Sequence, residues 1–211
     1  MEHACSTVED LAAAYRLVLD TVGTNIIDLD IEASVNIDLM NGALALLQTQ
    51  RPDISVSFTL MVQGEDYGLT PGALGVQLLE NARDHGVKVD MVNAMAMEYP
   101  KISEDFGESV INVGINVINQ LREIWPEKNE SELHAMLGLT PMLGRNFNAN
   151  VFQPQHARTV VNWAKANQIG LLAFWSIERD NGGCIGVVSP TCSGTEQDDY
   201  EFTAIFRDLN Q

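Results

Sequence analysis

Residues 25–32 read Asn-Ile-Ile-Asp-Leu-Asp-Ile-Glu, which sets carboxylates at Asp28, Asp30 and Glu32, every second position of an otherwise apolar stretch. Side chains alternate faces along a strand, so the three acids point the same way at intervals of roughly 6–7 Å. Acids packed that closely in a confined site cannot all ionise freely. Mutual repulsion and partial desolvation raise the pKa of at least one, and an acid kept protonated near neutral pH can donate a proton. Taken alone, such a stretch is also what the wet side of a half-exposed strand looks like. The polar residues that end the other strands bear on the choice.

Segments 7–21, 36–50, 71–86, 104–124 and 154–168 carry apolar residues at spacings of three and four and are predicted helices. The runs Ile26–Ile31, Ile54–Val62, Val89–Met97, Leu133–Leu139 and Leu171–Ser176 are predicted strands, and their near-continuous hydrophobicity suits parallel strands covered on both faces. Helix and strand alternate, which predicts a parallel α/β architecture with right-handed crossovers. Five strands fall short of the eight of a closed (β/α)8 barrel and suffice for an open doubly wound sheet. No Gly-rich phosphate loop follows any strand, so nucleotide binding has no support.

Strand ends are where catalytic groups gather in α/β barrels. Glu32 ends the first predicted strand, Glu98 and Tyr99 follow the third, and Trp175 lies near the end of the fifth. Carboxylates beside a flat ring are the composition of a sugar site. Trp125 and Trp163 lie on predicted helices at apolar spacing and read as packing residues, and Met91, Met95 and Met97 read as interior. Tyr67, in the loop after the second strand, suits either a sugar contact or a cover for the rim.

The 211 residues, 45% of them hydrophobic, suffice for one domain with a real core. A net charge of −17, from 29 acidic and 12 basic residues, argues against nucleic acid or an anionic membrane as partner. No apolar run is long enough to span a bilayer, and Met-Glu-His-Ala-Cys lacks the basic and apolar regions of a signal peptide. His3, His85, His134 and His156 share no metal-ligand spacing with one another or with the cysteines, so no metal is expected. Cys184 and Cys192 flank a loop rich in Gly, Pro, Ser and Thr; the spacing fits a bridge or two unpaired thiols, and Cys5 is left over.

The stretch Asn25-Ile-Ile-Asp28-Leu-Asp30-Ile-Glu32 resembles the Asp-x-x-Asp-x-Asp-x-Glu motif of the family 18 glycoside hydrolases, the chitinases, with Asn at its first position. Val92-Asn-Ala-Met-Ala-Met-Glu98-Tyr99 looks like that family's Val-Asn-x-Met-Ala-Met-Asp-Tyr strand, and Leu171-Leu-Ala-Phe-Trp175-Ser-Ile-Glu-Arg-Asp180 is similar to its final strand. Val56–Leu60, Thr140–Gly144 and the loop from Asp180 to Cys192 also fit, in consistent order over nearly the whole chain.

The resemblance implies hydrolysis of β-1,4 linkages between N-acetylglucosamine units of chitin or chitooligosaccharides, with retention and without a cofactor. Glu32 would be the general acid/base, Asp30 would hold the 2-acetamido group, and Asp28 would tune Asp30. Tyr99 or Glu98 would hold the acetamido group or the attacking water, Met97 would join the substrate-binding set, and Trp175 would floor the sugar. It also implies a Cys184–Cys192 disulfide and a secreted, extracellular protein, whose export signal lies upstream or is absent.

The match starts at the helix before the fourth barrel strand, so the family's first three strands have no counterpart. Residues 1–211 are thus expected to form one truncated catalytic domain, a partial (β/α)8 barrel of about five parallel strands. Such a barrel has open sheet edges. Another chain supplies the missing part, a second copy covers the gap by self-association, or the cleft stays open. A sugar-binding protein without useful catalysis is the alternative in another class.

Overall fold

The computed structural model describes residues 1–210. Helix α1 (Val8–Val22) begins where the Thr7 hydroxyl accepts from the Asp10 amide at 3.1 Å, and it ends at Gly23, whose φ of 74° suits glycine. Strand β1 (Ile26–Ile31), helix α2 (Ile37–Gln50) and strand β2 (Ser55–Gly64) follow. The short strand β3 (Gly68–Leu69) precedes helix α3 (Val76–Asp84), strand β4 (Val89–Met95) and the long helix α4 (Phe106–Ile124). Next come helix α5 (Glu130–Met136), strand β5 (Leu137–Leu139) and a hairpin of β6 (Gly144–Arg145) and β7 (Val151–Phe152). Helix α6 (Pro154–Asn167) and strand β8 (Leu171–Leu172) lead to a 3-10 turn at Ile177–Arg179, helix α7 (Glu201–Arg207) and a second 3-10 turn at Asp208–Asn210.

The main sheet runs β1-β2-β4-β5-β8 with every neighbouring pair parallel, while β3 pairs antiparallel with β2. Parallel neighbours need crossover connections, and the helices supply them. Ile27, Leu29 and Ile31 of β1 and Val56, Phe58 and Leu60 of β2 are buried in one cluster with Leu11, Tyr15, Leu44 and Leu47 of the first two helices. Each such side chain removed from water contributes about 2 kcal/mol. The opposite faces of β1 and β2 stay exposed or half-buried. The expectation of strands covered on both faces is therefore corrected for this part of the sheet: one face is core, and the other is free to carry polar groups. No helix among the described residues is long and apolar enough to cross a membrane.

Three boundaries differ from expectation. Residues 133–136 of the predicted strand Leu133–Leu139 belong to α5, because Asn129 and Glu132 form a reciprocal capping box at 3.0 and 2.9 Å that starts a helix just before them. The helix predicted over 71–86 starts only at Val76. Gly75 lies against the Thr70 carbonyl, where a Cβ would stand 2.1 Å from the oxygen, so this stretch is a turn. The predicted strand Leu171–Ser176 keeps regular pairing only at Leu171–Leu172, with one further parallel bridge from Trp175 to Met142. Cys184 and Cys192 are bonded, with Cα atoms 5.9 Å apart, and Cys5 is a free, half-buried thiol.

The buried carboxylate of Glu65, directly after β2, ties the sheet to α4. It accepts from the amides of Ile102 and of Ser103 (2.7 Å), from the Ser103 hydroxyl and from the Asn112 amide (3.2 Å), while its carbonyl accepts from Asn116 at 2.8 Å. Burial alone would raise its pKa, but the donors of Ser103, Ile102 and Asn112 outweigh it and hold the carboxyl at about 2. Replacing Glu65 by Ala leaves those donors unsatisfied, and equilibrium denaturation at pH 7 is expected to show a loss of about 2–3 kcal/mol. A depressed pKa stabilises above the ordinary value of 4.5 and ceases to do so as the pH falls toward about 2, so the two proteins should converge in acid.

Candidate active site

Asp28 and Asp30 of β1 stand on the face that the core leaves free, and the exposed Glu32 follows directly after the strand. The parallel register sets Asp28 opposite Ser57 and Asp30 opposite Thr59. The Asp28 carboxylate accepts from the Ser57 hydroxyl at 2.5 Å and from the Thr59 hydroxyl at 2.9 Å. Thr59 in turn accepts from the Asn93 amide at 3.1 Å, and Asn93 accepts from the Thr140 hydroxyl at 2.8 Å. A polar rail thus crosses from β1 through β2 and β4 to the end of β5. Thr140 donating to Asn93 leaves the amide nitrogen of Asn93 to face Thr59, so every member has a defined orientation.

Asp30 and Glu32 accept no hydrogen bond among the described residues, and both are exposed. Partial burial raises the pKa of Asp30, and the charges of Glu32 and then Asp28 add to the rise. The raised acid in the row is the middle one. A groove of about 380 Å³ runs along the free edge of β1, lined by Tyr15, Val18, Asp28, Asp30, Glu32 and Val35. Asn25, at the other end of the strand, joins Asp53 and Arg51 at 2.6 Å each and belongs to the scaffold.

The other predicted site residues divide. Glu98 sits after β4 with a φ of 59°, and its carboxylate accepts from the amides of Phe147 (2.7 Å) and Asn148 (3.1 Å) in the turn between β6 and β7. It holds that turn. Tyr99 is only 2% exposed: its ring meets Phe106 edge-on at 5.9 Å and its hydroxyl accepts from Ser109 at 3.2 Å. Its side chain is in the core, and burial raises its pKa. The expectation that it faces a ligand is corrected, since a tyrosine following a left-handed residue need not keep strand parity. Its carbonyl accepts from the side chains of Asn148 (2.9 Å) and Asn150 (3.1 Å). Met97 is half-buried beside Glu98.

Trp175 is 40% exposed. Its amide donates to Pro141 at 3.0 Å, its carbonyl accepts from Leu143 at 2.8 Å, and its peptide bond to Ser176 is cis. Beneath the ring lies the buried Arg179, with its guanidinium carbon 5.4 Å from the ring centroid. Neither this arginine nor the exposed Phe147 was visible as a site residue in the sequence, where an arginine reads as surface. The asparagines around Phe147 signal only a turn. Among the described residues no group of three or more His, Cys, Asp or Glu side chains is arranged to hold a metal.

No protein-family model matches the chain. The catalytic domain of a hyperthermophilic chitinase from Pyrococcus furiosus does: it superposes with a TM-score of 0.91 at 40% identity, over 98% of this chain and 67% of that one. The chain belongs to the chitinase family. A second Pyrococcus furiosus structure, of catalytic-site mutants of active domain 2 of a thermostable chitinase complexed with chito-oligosaccharides, matches at 39% identity with the same TM-score and coverage. Two curated chitinase relatives are each 30% identical: a probable bifunctional chitinase/lysozyme of Escherichia coli (strain K12) over 96% of this chain, and endochitinase 11 of Metarhizium anisopliae over 84%. The chain spans 24% and 37% of the length of those two proteins.

In this chitinase-family chain the raised pKa of Asp30 has a stability consequence. Ionising the group costs stability as the pH rises through its folded-state value. Asp30→Asn removes that cost, so its thermal midpoint at pH 7 is expected to exceed that of wild type. The difference should close as the pH falls below the ordinary value of 3.8, as thermal scans across the pH range would show.

Proposed function

We propose that this chain hydrolyses β-1,4 linkages between N-acetylglucosamine units in chitin or chitooligosaccharides, with retention assisted by the substrate. The observation that carries the reading is the division of labour along β1: Asp28 is tied by two hydroxyl donors, whereas Asp30 and Glu32 share its face with no protein partner. Two unengaged carboxylates beside an oriented one are what a two-step proton and charge transfer requires.

Glu32 protonates the glycosidic oxygen as the bond to the anomeric carbon breaks. The carbonyl oxygen of the substrate's own 2-acetamido group attacks that carbon from the opposite side, so no enzyme carboxylate becomes covalently attached. Asp30 accepts from the acetamido N–H and favours the positive charge that develops there. Asp28, held by Ser57 and Thr59, fixes Asp30 by charge and by a shared proton. Glu32, now ionised, then takes a proton from the water that opens the intermediate. Trp175 floors the sugar, Met97 borders it, and Glu98 and the Tyr99 carbonyl hold the turn that presents Phe147.

Residues 1–211 act in this reading as one catalytic domain made of five strands of a (β/α)8-type barrel, which the coverage of the Pyrococcus furiosus domain supports. The free edge of β1, with exposed Leu17, Val18, Val22 and Ile26 nearby, suits self-association. Secretion fits a polymeric extracellular substrate. The exposure of Asp30 and Glu32 favours a second reading, sugar binding with little turnover, because an open site leaves the acids solvated.

Glu32→Gln is expected to lower hydrolysis of N-acetylglucosamine oligomers by at least about 100-fold while thermal unfolding stays cooperative; unchanged turnover refutes the assignment. Proton NMR during cleavage of the tetramer by wild type should show the β-anomer first. Initial appearance of the α-anomer would exclude retention, and binding without any product selects the second reading.

A further inference from the structure

Arg179 is fully buried, yet no carboxylate lies within ion-pair distance of it among the described residues. Its donors all go to backbone carbonyls. Nε and Nη2 both reach Leu143, at 3.1 and 2.7 Å, Nη2 also reaches Arg145 at 2.7 Å, and Nη1 reaches Ser189. A cross-link between carbonyls does not call for a cation, and a buried cation is costly to keep when the nearest charge acting on it, that of Glu98, lies beyond ion-pair distance. The one π-system over it is Trp175, which presents a negatively polarised face to the guanidinium.

The surroundings leave that guanidinium little freedom. Leu143, its bidentate acceptor, also donates its amide to the Trp175 carbonyl at 2.8 Å, so backbone and ring of the tryptophan are referred to the same strand end. Ser189 lies inside the loop closed by Cys184 and Cys192, which fixes the third acceptor. The planar fork of Arg fits this arrangement and a lysine ammonium does not.

We infer that Arg179 is a positioning residue: it supports the Trp175 indole from inside the protein at one tilt, with the outer part of the ring left open to a sugar. This rests on the reading of Trp175 as the sugar platform. A platform that is already still when the ligand arrives loses less freedom on binding, so the contribution is to affinity. Arg179 itself touches no substrate.

The test is a double-mutant cycle in the Glu32→Gln background, with binding of the N-acetylglucosamine tetramer read by calorimetry. Arg179→Lys is expected to weaken binding about tenfold when Trp175 is present and to leave it unchanged in Trp175→Ala. An equal loss in both backgrounds makes Arg179 a general structural residue and overturns the inference. If Trp175→Ala binds the tetramer as well as its parent, the reading of Trp175 fails and the inference falls with it, an outcome distinct from additivity. A measurement that needs no arginine variant stands beside the cycle. With Trp125→Phe and Trp163→Phe, Trp175 is the sole tryptophan, and its fluorescence anisotropy without ligand should decay only with overall tumbling. A fast local component overturns the inference.

Discussion

The strict two-residue alternation of β1 in its parallel register with β2 is the constraint on which the site depends. Ile27, Leu29 and Ile31 have to enter the core, and no single-residue slip is open to the strand without exposing all three and burying the acids. Core packing therefore sets the face on which Asp28 and Asp30 stand, ahead of any hydrogen bond that Asp28 makes. The same register delivers Ser57 and Thr59 to Asp28. Binding energy held in apolar contacts is thus converted into the placement of charges.

What the sheet does for the acids, hydrogen-bonded carboxylates do for the loops above it, two of them buried (Glu65, Asp180) and one exposed (Glu98). Glu65 gathers the 102–103 backbone against α4, Glu98 gathers the turn at Phe147 and Asn148, and Asp180 caps α7 through the amides of Phe202 and Thr203 at 3.0 and 2.7 Å. Asp180 satisfies amides in the first turn of a helix, and Glu65 and Glu98 satisfy amides in loops, which would otherwise lack a partner. Arg179 is the counterpart of opposite charge, gathering carbonyls under Trp175. Charge-assisted hydrogen bonds thus order the rim beside the packing of buried loop residues such as Tyr99, Met142 and Leu143.

Much of the scaffold was legible because its signals are local. The strand Ile26–Ile31 and the helices near 8–22, 37–50, 106–124 and 154–167 lie within a residue or two of their predicted bounds, since periodic apolar residues and caps act over a few positions. Residues 133–136 were misread because Leu133 and Met136 serve a short helix as well as a strand, and the capping box at Asn129 decided between them. The motif resemblance points to the chitinase family, and both the superposed Pyrococcus furiosus domain and the relatives matched by sequence agree with it.

By itself the sequence determined which residues share a face and where the acids are concentrated, both encoded in spacing along the chain, while its motifs carried a resemblance to one family. Only the tertiary structure decided how those residues are used. It turned Tyr99 into the core, committed Glu98 to a neighbouring turn, set two hydroxyls on Asp28, and placed a buried arginine beneath Trp175. Those outcomes depend on side chains tens of residues apart meeting at one rim. The free energy of a polar group there is set by the partners it finds after folding, and the residue type does not disclose them.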